Sequence, residues 1–286
     1  MNIALSVFTL PFMGRALAVM LLLSVLGGLL GPFVVTRRLE FLTDALTHTV
    51  MPGVVVGFVA GGVPGVFWGA LVAALVTAVA VTGLARTAAM RQESTVAVLL
   101  TSLFALGIVL LSRRSDYAGD LGNFLTGQPL TLSSTDVTTV AVAAGAVLVA
   151  LAAVGYLLYQ RAFDPEQYRA RGHRLLVADL VLNALIALTV VCAVRTVGTL
   201  LALGVLLLPG VVGTVLCETW WAAVLTGAVS LAVSSWFGLL VSYLVSLRAA
   251  VQVPPSAAIV LCACAVAVLA GLARLPLRRF RRAHVV

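Results

Sequence analysis

The sequence contains no lysine and little charge of either sign. Its 286 residues include 18 basic side chains, all arginine, and 10 acidic ones, so charged residues make up 10% of the chain against 62% hydrophobic residues. The mean hydropathy is +1.16, and a soluble domain of this length could not bury so much apolar surface. The composition therefore excludes a soluble protein and predicts an all-α polytopic membrane protein.

The absence of lysine also excludes the phosphate-binding loop G-x-x-x-x-G-K-[ST], in which a lysine reaches the nucleotide phosphates. Any ATP hydrolysis is therefore expected from a separate polypeptide. The sequence has no H-E-x-x-H motif, and it places no Ser/His or paired-Asp arrangement at membrane depth. An intramembrane enzyme is disfavoured for this reason.

Cysteine is scarce, and its positions give no metal-binding pattern. Two of the four cysteines, Cys262 and Cys264, are two residues apart, so they point to different sides of a helix, and zinc-ribbon spacing is absent. We expect Cys192, Cys217 and this pair to be inert thiols in or beside apolar segments. Arg15 follows the first apolar run instead of preceding it, so no removable signal peptide is expected.

The net charge of +8 comes from arginines in short loops and near the C-terminus, not from a basic patch with interleaved aromatic residues. That distribution indicates orientation signals and contact with lipid headgroups, and it argues against nucleic-acid binding. The arginine-rich segments 160–174 and 274–286 are both predicted to be cytoplasmic, because arginine is enriched on that side. Counting spans back from the loop 160–174 puts Arg86 and Arg91 on the cytoplasmic side and Arg113 and Arg114 on the opposite side. Arginine is not expected on that opposite side, so the side of the N-terminus stays open.

The chain contains about eight to nine apolar stretches that are long enough, or nearly so, to span a bilayer. The predicted spans are 16–36, 39–61, 64–85, 95–112, 136–159, 175–194, 198–217, 220–247 and 254–273. Four spans separate the two arginine-rich segments, and this even number lets both lie on one side. We predict a single transmembrane domain over residues 1–286, a cytoplasmic loop at 160–174 and a basic cytoplasmic tail at 274–286.

Asp44 and His48 lie four residues apart in an otherwise apolar span, on one face of a helix. Ionisable residues inside a membrane are costly, and they usually mark an ion or substrate pathway. The alternative is structural, with Asp44 as a first-turn acid and His48 as a core histidine. Pro52 frees the carbonyl of His48 from its backbone hydrogen bond, so Pro52 and Gly53 are predicted to form a hinge that aims the pair.

The loop 160–174 contains the start signals of a short helix. Asp164 is suited to cap it, Pro165 to occupy its first position and Glu166 its first turn, while Gly172 provides a stop. This segment is either an ordinary interfacial connector or a docking element for a cytoplasmic partner.

The order of these motifs resembles one family along almost the whole chain. Phe41, Asp44, Ala45, His48, Pro52 and Gly53 match the signature F-x-x-D-A-x-S-H-x-x-x-P-G of the metal-ion ABC permeases, the ABC-3 family that imports manganese, zinc or iron. Further similar runs are Glu93–Val98, Phe104–Ile108, Asp120–Gly127, Phe163–Glu166, Val197–Leu201 with Pro209, and Pro255–Val260. Thr47 replaces the usual serine before the histidine, and Gly210 stands where alanine is common; neither change removes a candidate ligand.

The resemblance implies a type II-like ABC importer permease, which is a homodimer in the plasma membrane. Its partners would be a second permease copy, cytoplasmic ABC ATPase subunits and an extracytoplasmic metal-binding protein. The segment formed by Phe163, Asp164, Pro165, Glu166 and Arg169 would then contact the ATPase.

The resemblance also implies that no cofactor is permanently bound and that the cargo is a divalent metal ion. Two copies of Asp44 and His48 would place two oxygens and two nitrogens on the dimer axis, a set that suits Zn²⁺, or Mn²⁺ with added water. A proton-coupled secondary metal transporter could use the same pair as a proton relay, and this alternative stays open.

Two more acids lie near the ends of predicted spans. Asp179 and Asn183 share a helix face, and an ion pair of Asp179 with Arg174 is favoured over a second ion site. Glu218 precedes Trp220 and Trp221, which are typical interfacial anchors, so a solvated acid is expected there.

Overall fold

The computed structural model describes residues 10–84, 92–112, 131–249 and 253–283. Within these ranges every regular element is a helix, and no strand occurs. The helices are α1 (Pro11–Thr36), α2 (Glu40–Gly62), α3 (Pro64–Leu84), α4 (Gln92–Ser112), α5 (Ser134–Phe163), α6 (Pro165–Ala170), α7 (Leu175–Val197), α8 (Thr199–Leu216), α9 (Trp220–Ala249) and α10 (Pro255–Ala283). Arg86, Arg91, Arg113, Arg114 and the run Asp120–Gly127 lie outside the described residues.

All of these helices except α6 are long and apolar enough to cross a membrane, which makes nine candidate spans in the described part of the chain. The prediction of about eight to nine is confirmed. Such segments form helices because hydrocarbon offers no water to backbone polar groups, and a helix satisfies them internally. The boundaries differ most at the chain ends, since α1 begins at Pro11 and α10 continues to Ala283.

The break between α2 and α3 is made by glycine. Gly61 and Gly62 are the non-helical residues within 40–84, and Gly62 has φ 63° with ψ −151°, a combination that side chains exclude. Pro64 then starts α3, since proline suits the first turn of a helix. The chain reverses direction here, so α2 and α3 form a tight hairpin.

The contacts divide the chain into two compact units, each built from separate stretches of sequence. One comprises Met1–Val35, Gln128–Val140 and Gly204–Val286, and within it α1, α9 and the larger part of α8 approach closely at glycines such as Gly31 and Gly210. Close approach at small residues is how helices associate in lipid, where no hydrophobic force drives them together.

The other unit comprises Thr36–Gly127 and Ala141–Leu203. In it α2 and α3 pack against α4 and α7, and α7 is the most enclosed, with Leu182 and Ile186 fully buried. Asn183 of α7 donates a hydrogen bond to the Thr82 hydroxyl of α3 over 2.8 Å, so a buried amide joins these helices. All predicted site residues lie in this unit.

Candidate ion site and coupling segment

Asp44 and His48 lie one turn apart on α2, as the sequence predicted. Asp44 Oδ1 and His48 Nε2 are 3.8 Å apart, which is longer than a hydrogen bond. The His48 ring contacts the Phe104 ring of α4 edge-on, with centroids 5.6 Å apart. The imidazole is therefore oriented by an aromatic neighbour, and its Nε2 faces the aspartate.

The pair lies on the open side of α2. Of the side chains, 42% of Asp44 and 36% of His48 are exposed, whereas Ala45, Leu46 and Thr47 are buried. Glu40 is the acid of the first turn, so Asp44 does not have that role, and His48 is not a core residue. The structural alternative therefore does not hold in the form of a first-turn acid and a fully buried histidine, while the role of the pair as an ion site stays a prediction.

The geometry of the pair suits a shared metal ion. Two ligand atoms that each bind a metal at about 2.0–2.2 Å lie about 3–4 Å apart, and the observed 3.8 Å falls in this interval. No group of three or more His, Cys, Asp or Glu side chains lies together among the residues that the structure describes. Within the described residues, the pair therefore offers one carboxylate and one imidazole as candidate ligand groups.

The hydroxyls of Thr43 and Thr47, near the pair, donate to the backbone. Thr47 Oγ1 donates to the carbonyl of Asp44 over 2.7 Å, and Thr43 Oγ1 donates to the carbonyl of Leu39 over 3.0 Å. These internal bonds let buried threonines sit in an apolar helix. Thr47 is buried, and its hydroxyl is used in this bond within the helix.

Pro52 and Gly53 lie in a part of α2 where helical dihedrals continue. The break in this helix falls at Gly61 and Gly62 instead. A β-carbon on Gly53 would collide with the carbonyl of Gly69 on α3, so Gly53 serves a close helix contact. Its role as a hinge stays a prediction.

An open apolar groove of about 600 Å³ lies between α2, α3 and α4. Its lining includes Thr49, Val56, Trp68 and Leu106 but neither Asp44 nor His48, and it offers hydroxyls without any carboxylate or imidazole. Such a lining does not suit a divalent cation, which prefers charged oxygen or nitrogen ligands. The groove is therefore a weaker candidate for an ion site than the Asp44–His48 pair.

The short helix of the loop 160–174 forms where the sequence predicted it. The Asp164 carboxylate accepts a hydrogen bond from the Gln167 backbone N–H over 2.8 Å, and Pro165 begins α6. Gly172 ends the turn with φ 81°. Phe163, Glu166 and Arg169 are exposed. The segment therefore exposes an aromatic ring at the end of α5 and an acid and a base on α6.

Tyr168, the buried residue of α6, was not among the residues predicted from the sequence. It is 5% exposed, and its ring lies 5.0 Å from that of His173. A single aromatic residue in a polar six-residue helix was the available signal. Tyr168 anchors α6, which contacts α7.

The predicted partner of Asp179 is wrong. Its carboxylate binds Arg37 Nη2 over 2.7 Å and Arg161 Nη2 over 3.1 Å, instead of the neighbouring Arg174. Arg174 is exposed at the start of α7, whereas the other two arginines reach Asp179 from separate segments. The sequence could not show this, because Arg37 is 142 residues away.

Glu218 is 59% exposed and lies 3.9 Å from Arg274, which also donates to the Thr214 carbonyl. Trp221 is 70% exposed, whereas Trp220 packs edge-on against Phe33. The exposure of Glu218 agrees with the solvated acid that the sequence predicted, and Trp221 is exposed close to it in the sequence. Trp220 instead packs inside the protein.

The chain belongs to the ABC 3 transport family, whose sequence profile matches residues 9–274. It is a multi-pass protein of the plasma membrane with nine candidate spans in its described part. The chelated iron transport system membrane protein YfeD of Yersinia pestis is 29% identical over 238 residues, covering 82% of this chain and 78% of that protein.

The manganese transport system membrane protein MntC of Halalkalibacterium halodurans is 28% identical over 200 residues, covering 70% of this chain and 68% of that protein. Among solved structures, PsaBC from Streptococcus pneumoniae in complex with Fab gives a TM-score of 0.80 at 24% identity, covering 93% of this chain and 94% of that one. At this identity the likeness shows the fold.

Proposed function

We propose that the chain is the permease subunit of an ATP-binding cassette importer for a divalent transition metal, either manganese or zinc, with iron as a further option. The observation that carries this proposal is the Asp44–His48 pair on the open face of a membrane-length helix. A carboxylate and an imidazole facing hydrocarbon would be costly. A passing cation and a covering protein surface remove that cost.

A second permease copy is the proposed cover. The exposed stripe of α2 that includes Phe41, Asp44, His48 and Val56 would then face its symmetry mate, and two pairs would meet on the axis. Four ligands of this kind suit Zn²⁺, or Mn²⁺ with water. The relatives named for manganese and chelated iron support a transition metal without deciding between metals.

Energy is proposed to come from separate ATPase subunits that contact α6, and cargo from an extracytoplasmic metal-binding protein. The exposed Phe163, Asp164, Pro165, Glu166 and Arg169 are the proposed ATPase contact. The sequence has no lysine and thus no phosphate-binding loop of its own, which is consistent with this division of labour.

The test is metal uptake by proteoliposomes that contain permease, ATPase and binding protein, with ATP and the pH gradient varied separately. Uptake of Mn²⁺, Zn²⁺ or Fe²⁺ that needs ATP and ignores the gradient supports the proposal. Uptake that follows an inward proton gradient without ATP would identify a proton-coupled transporter instead.

A further inference from the structure

We propose that Asp179 is the link between the coupling helix α6 and the helix that carries the ion site, so that its carboxylate passes movement of α6 to Asp44 and His48. Asp179 acts here as a positioning residue, since it belongs neither to the proposed metal ligands nor to the proposed ATPase contact. The inference rests on the proposed function for its transport consequences, while the link itself is a property of this fold.

The carboxylate of Asp179 bridges two segments with its two oxygens. Oδ1 accepts from Arg37 over 2.7 Å, and Oδ2 accepts from Arg161 over 3.1 Å. Charge-assisted bonds of this kind are stronger than those between neutral groups. One side chain of α7 therefore holds the turn before α2 and the end of α5 at the same time.

The link is shielded from solvent. The exposed fractions of the side chains are 14% for Arg37, 14% for Asp179 and 17% for Arg161. Exposed ion pairs are worth little because water and side-chain freedom compete with them, but loss of one partner from a shielded pair leaves a charge without compensation. The two ion pairs therefore fix the positions of the turn before α2 and the end of α5 relative to α7.

At the end of α5, Arg161 is connected to α6 through continuous helical hydrogen bonding. The Asp164 backbone N–H donates to the Gln160 carbonyl over 2.8 Å, so the helical bonding of α5 continues into the residue that caps α6. Tyr168 then fixes the helix by burial. A displacement of α6 would therefore move Arg161, and the ion pair of Arg161 with Asp179 would carry this movement to α7.

On the ion side, Arg37 lies in the tight turn that starts α2. The next residue, Arg38, has φ 53°, and the buried Leu39 accepts the Thr43 N–H as the helix begins. Asp44 and His48 lie about 6 and 12 Å along the helix from Glu40, at a rise of about 1.5 Å per residue. A shift of Arg37 therefore acts on the first turns of α2, where the ligands are.

Four candidate spans in the described part of the chain separate Arg37 from Arg161, which places both on the same side of the membrane, and the arginine pattern predicts that this side is cytoplasmic. The link therefore sits at the membrane face where an ATPase would act.

Asn183 offers a matched control on the same face of α7. It lies one turn after Asp179, and its buried amide binds Thr82 of α3, so it joins helices without touching the coupling segment. Asn183→Leu should lower stability without affecting the transmission of movement. This separates loss of the link from general loosening of the helix bundle.

The experiment measures ATP hydrolysed per metal ion imported, with the full transporter in proteoliposomes. Arg37→Gln and Arg161→Gln each remove one arm of the link, and we expect either to raise this ratio about fivefold, the lower end of a typical coupling between sites. The double variant should have the same ratio of ATP to metal as either single variant, because each substitution alone already breaks the connection. Asn183→Leu should keep the wild-type ratio.

Hydrogen exchange of the backbone amides at residues 39–46 is a second measurement of the link, and it does not depend on metal transport. Arg161→Gln changes α5, yet it should speed exchange in the first turns of α2 if Asp179 links them. Wild-type exchange there in Arg161→Gln, or a wild-type ATP ratio in both single variants, would overturn the link. Failure of the wild-type protein to import metal with ATP would instead overturn the proposed function, and the exchange result would still decide the link.

Discussion

Gly57 and Gly65 face each other across the α2–α3 hairpin so closely that a β-carbon on either would overlap the carbonyl of the other. Gly53 and Gly69 repeat this relationship one turn away. The four glycines form a seam that brings two backbones into contact, and α2, which forms one side of this seam, also carries Asp44 and His48. Packing at small residues replaces the hydrophobic force that lipid cannot supply.

Gly65→Val should destabilise the permease, because the added carbons have no space at the seam. Overpacking of this kind costs about 1–3 kcal/mol, and we expect a lower unfolding temperature in detergent. Gly145→Ala is the control: nothing lies within 4 Å of a β-carbon at that helical position, so this change should be neutral or slightly stabilising. Equal unfolding temperatures for the two variants would contradict the role of the seam.

Asp44→Asn and His48→Ala should each abolish metal uptake while insertion and ATPase association persist. Removal of a residue that only supports a metal ligand lowers metal affinity or activity about 10–100-fold. Loss of a direct ligand should therefore lower metal uptake at least as much. Uptake of radioactive metal by cells that produce each variant at equal abundance is the measurement. Glu40→Gln, which changes the nearby first-turn acid, serves as the control. Normal uptake in either ligand variant would show that the pair is not the site.

Reversal of the exposed charges on α6, with Glu166→Arg and Arg169→Glu, should weaken ATPase contact. Both side chains face outward, so the fold itself should tolerate the change. We expect less ATPase to co-purify and ATP hydrolysis that no longer follows transport. Arg248→Glu, an exposed change outside the segment 160–174, is the control. If co-purification and coupling are both unchanged, the segment is an ordinary connector.

Tyr168→Ala should detach α6 from α7 and reduce ATPase binding, because the one buried side chain of this helix is lost. Tyr168→Phe keeps the ring packing against His173 and should behave as wild type. Limited proteolysis within residues 160–174 measures this directly, with faster cleavage expected for the alanine variant alone. Equal cleavage of both variants would mean that the hydroxyl or the backbone, not the ring, holds the helix.

The sequence by itself determined the membrane character, the position of α6 and an approximate number of spans, about eight to nine, of which the described part of the chain has nine candidates. Each of these depends on local information: apolar runs of membrane length, and Asp164, Pro165 and Gly172 at the ends of a short helix. The shared face of Asp44 and His48 was also predictable, because a separation of four residues returns to the same side of a helix.

Only the tertiary structure decided which distant residues meet. Arg37 and Arg161 reach Asp179 from segments 142 and 18 residues away, and no local pattern encodes that choice over the neighbouring Arg174. The close contact of Gly53 with Gly69 likewise depends on the hairpin that Gly61 and Gly62 permit. Periodicity specifies which side of a helix a residue occupies, but packing between helices decides what lies opposite, and that choice depends on the whole chain.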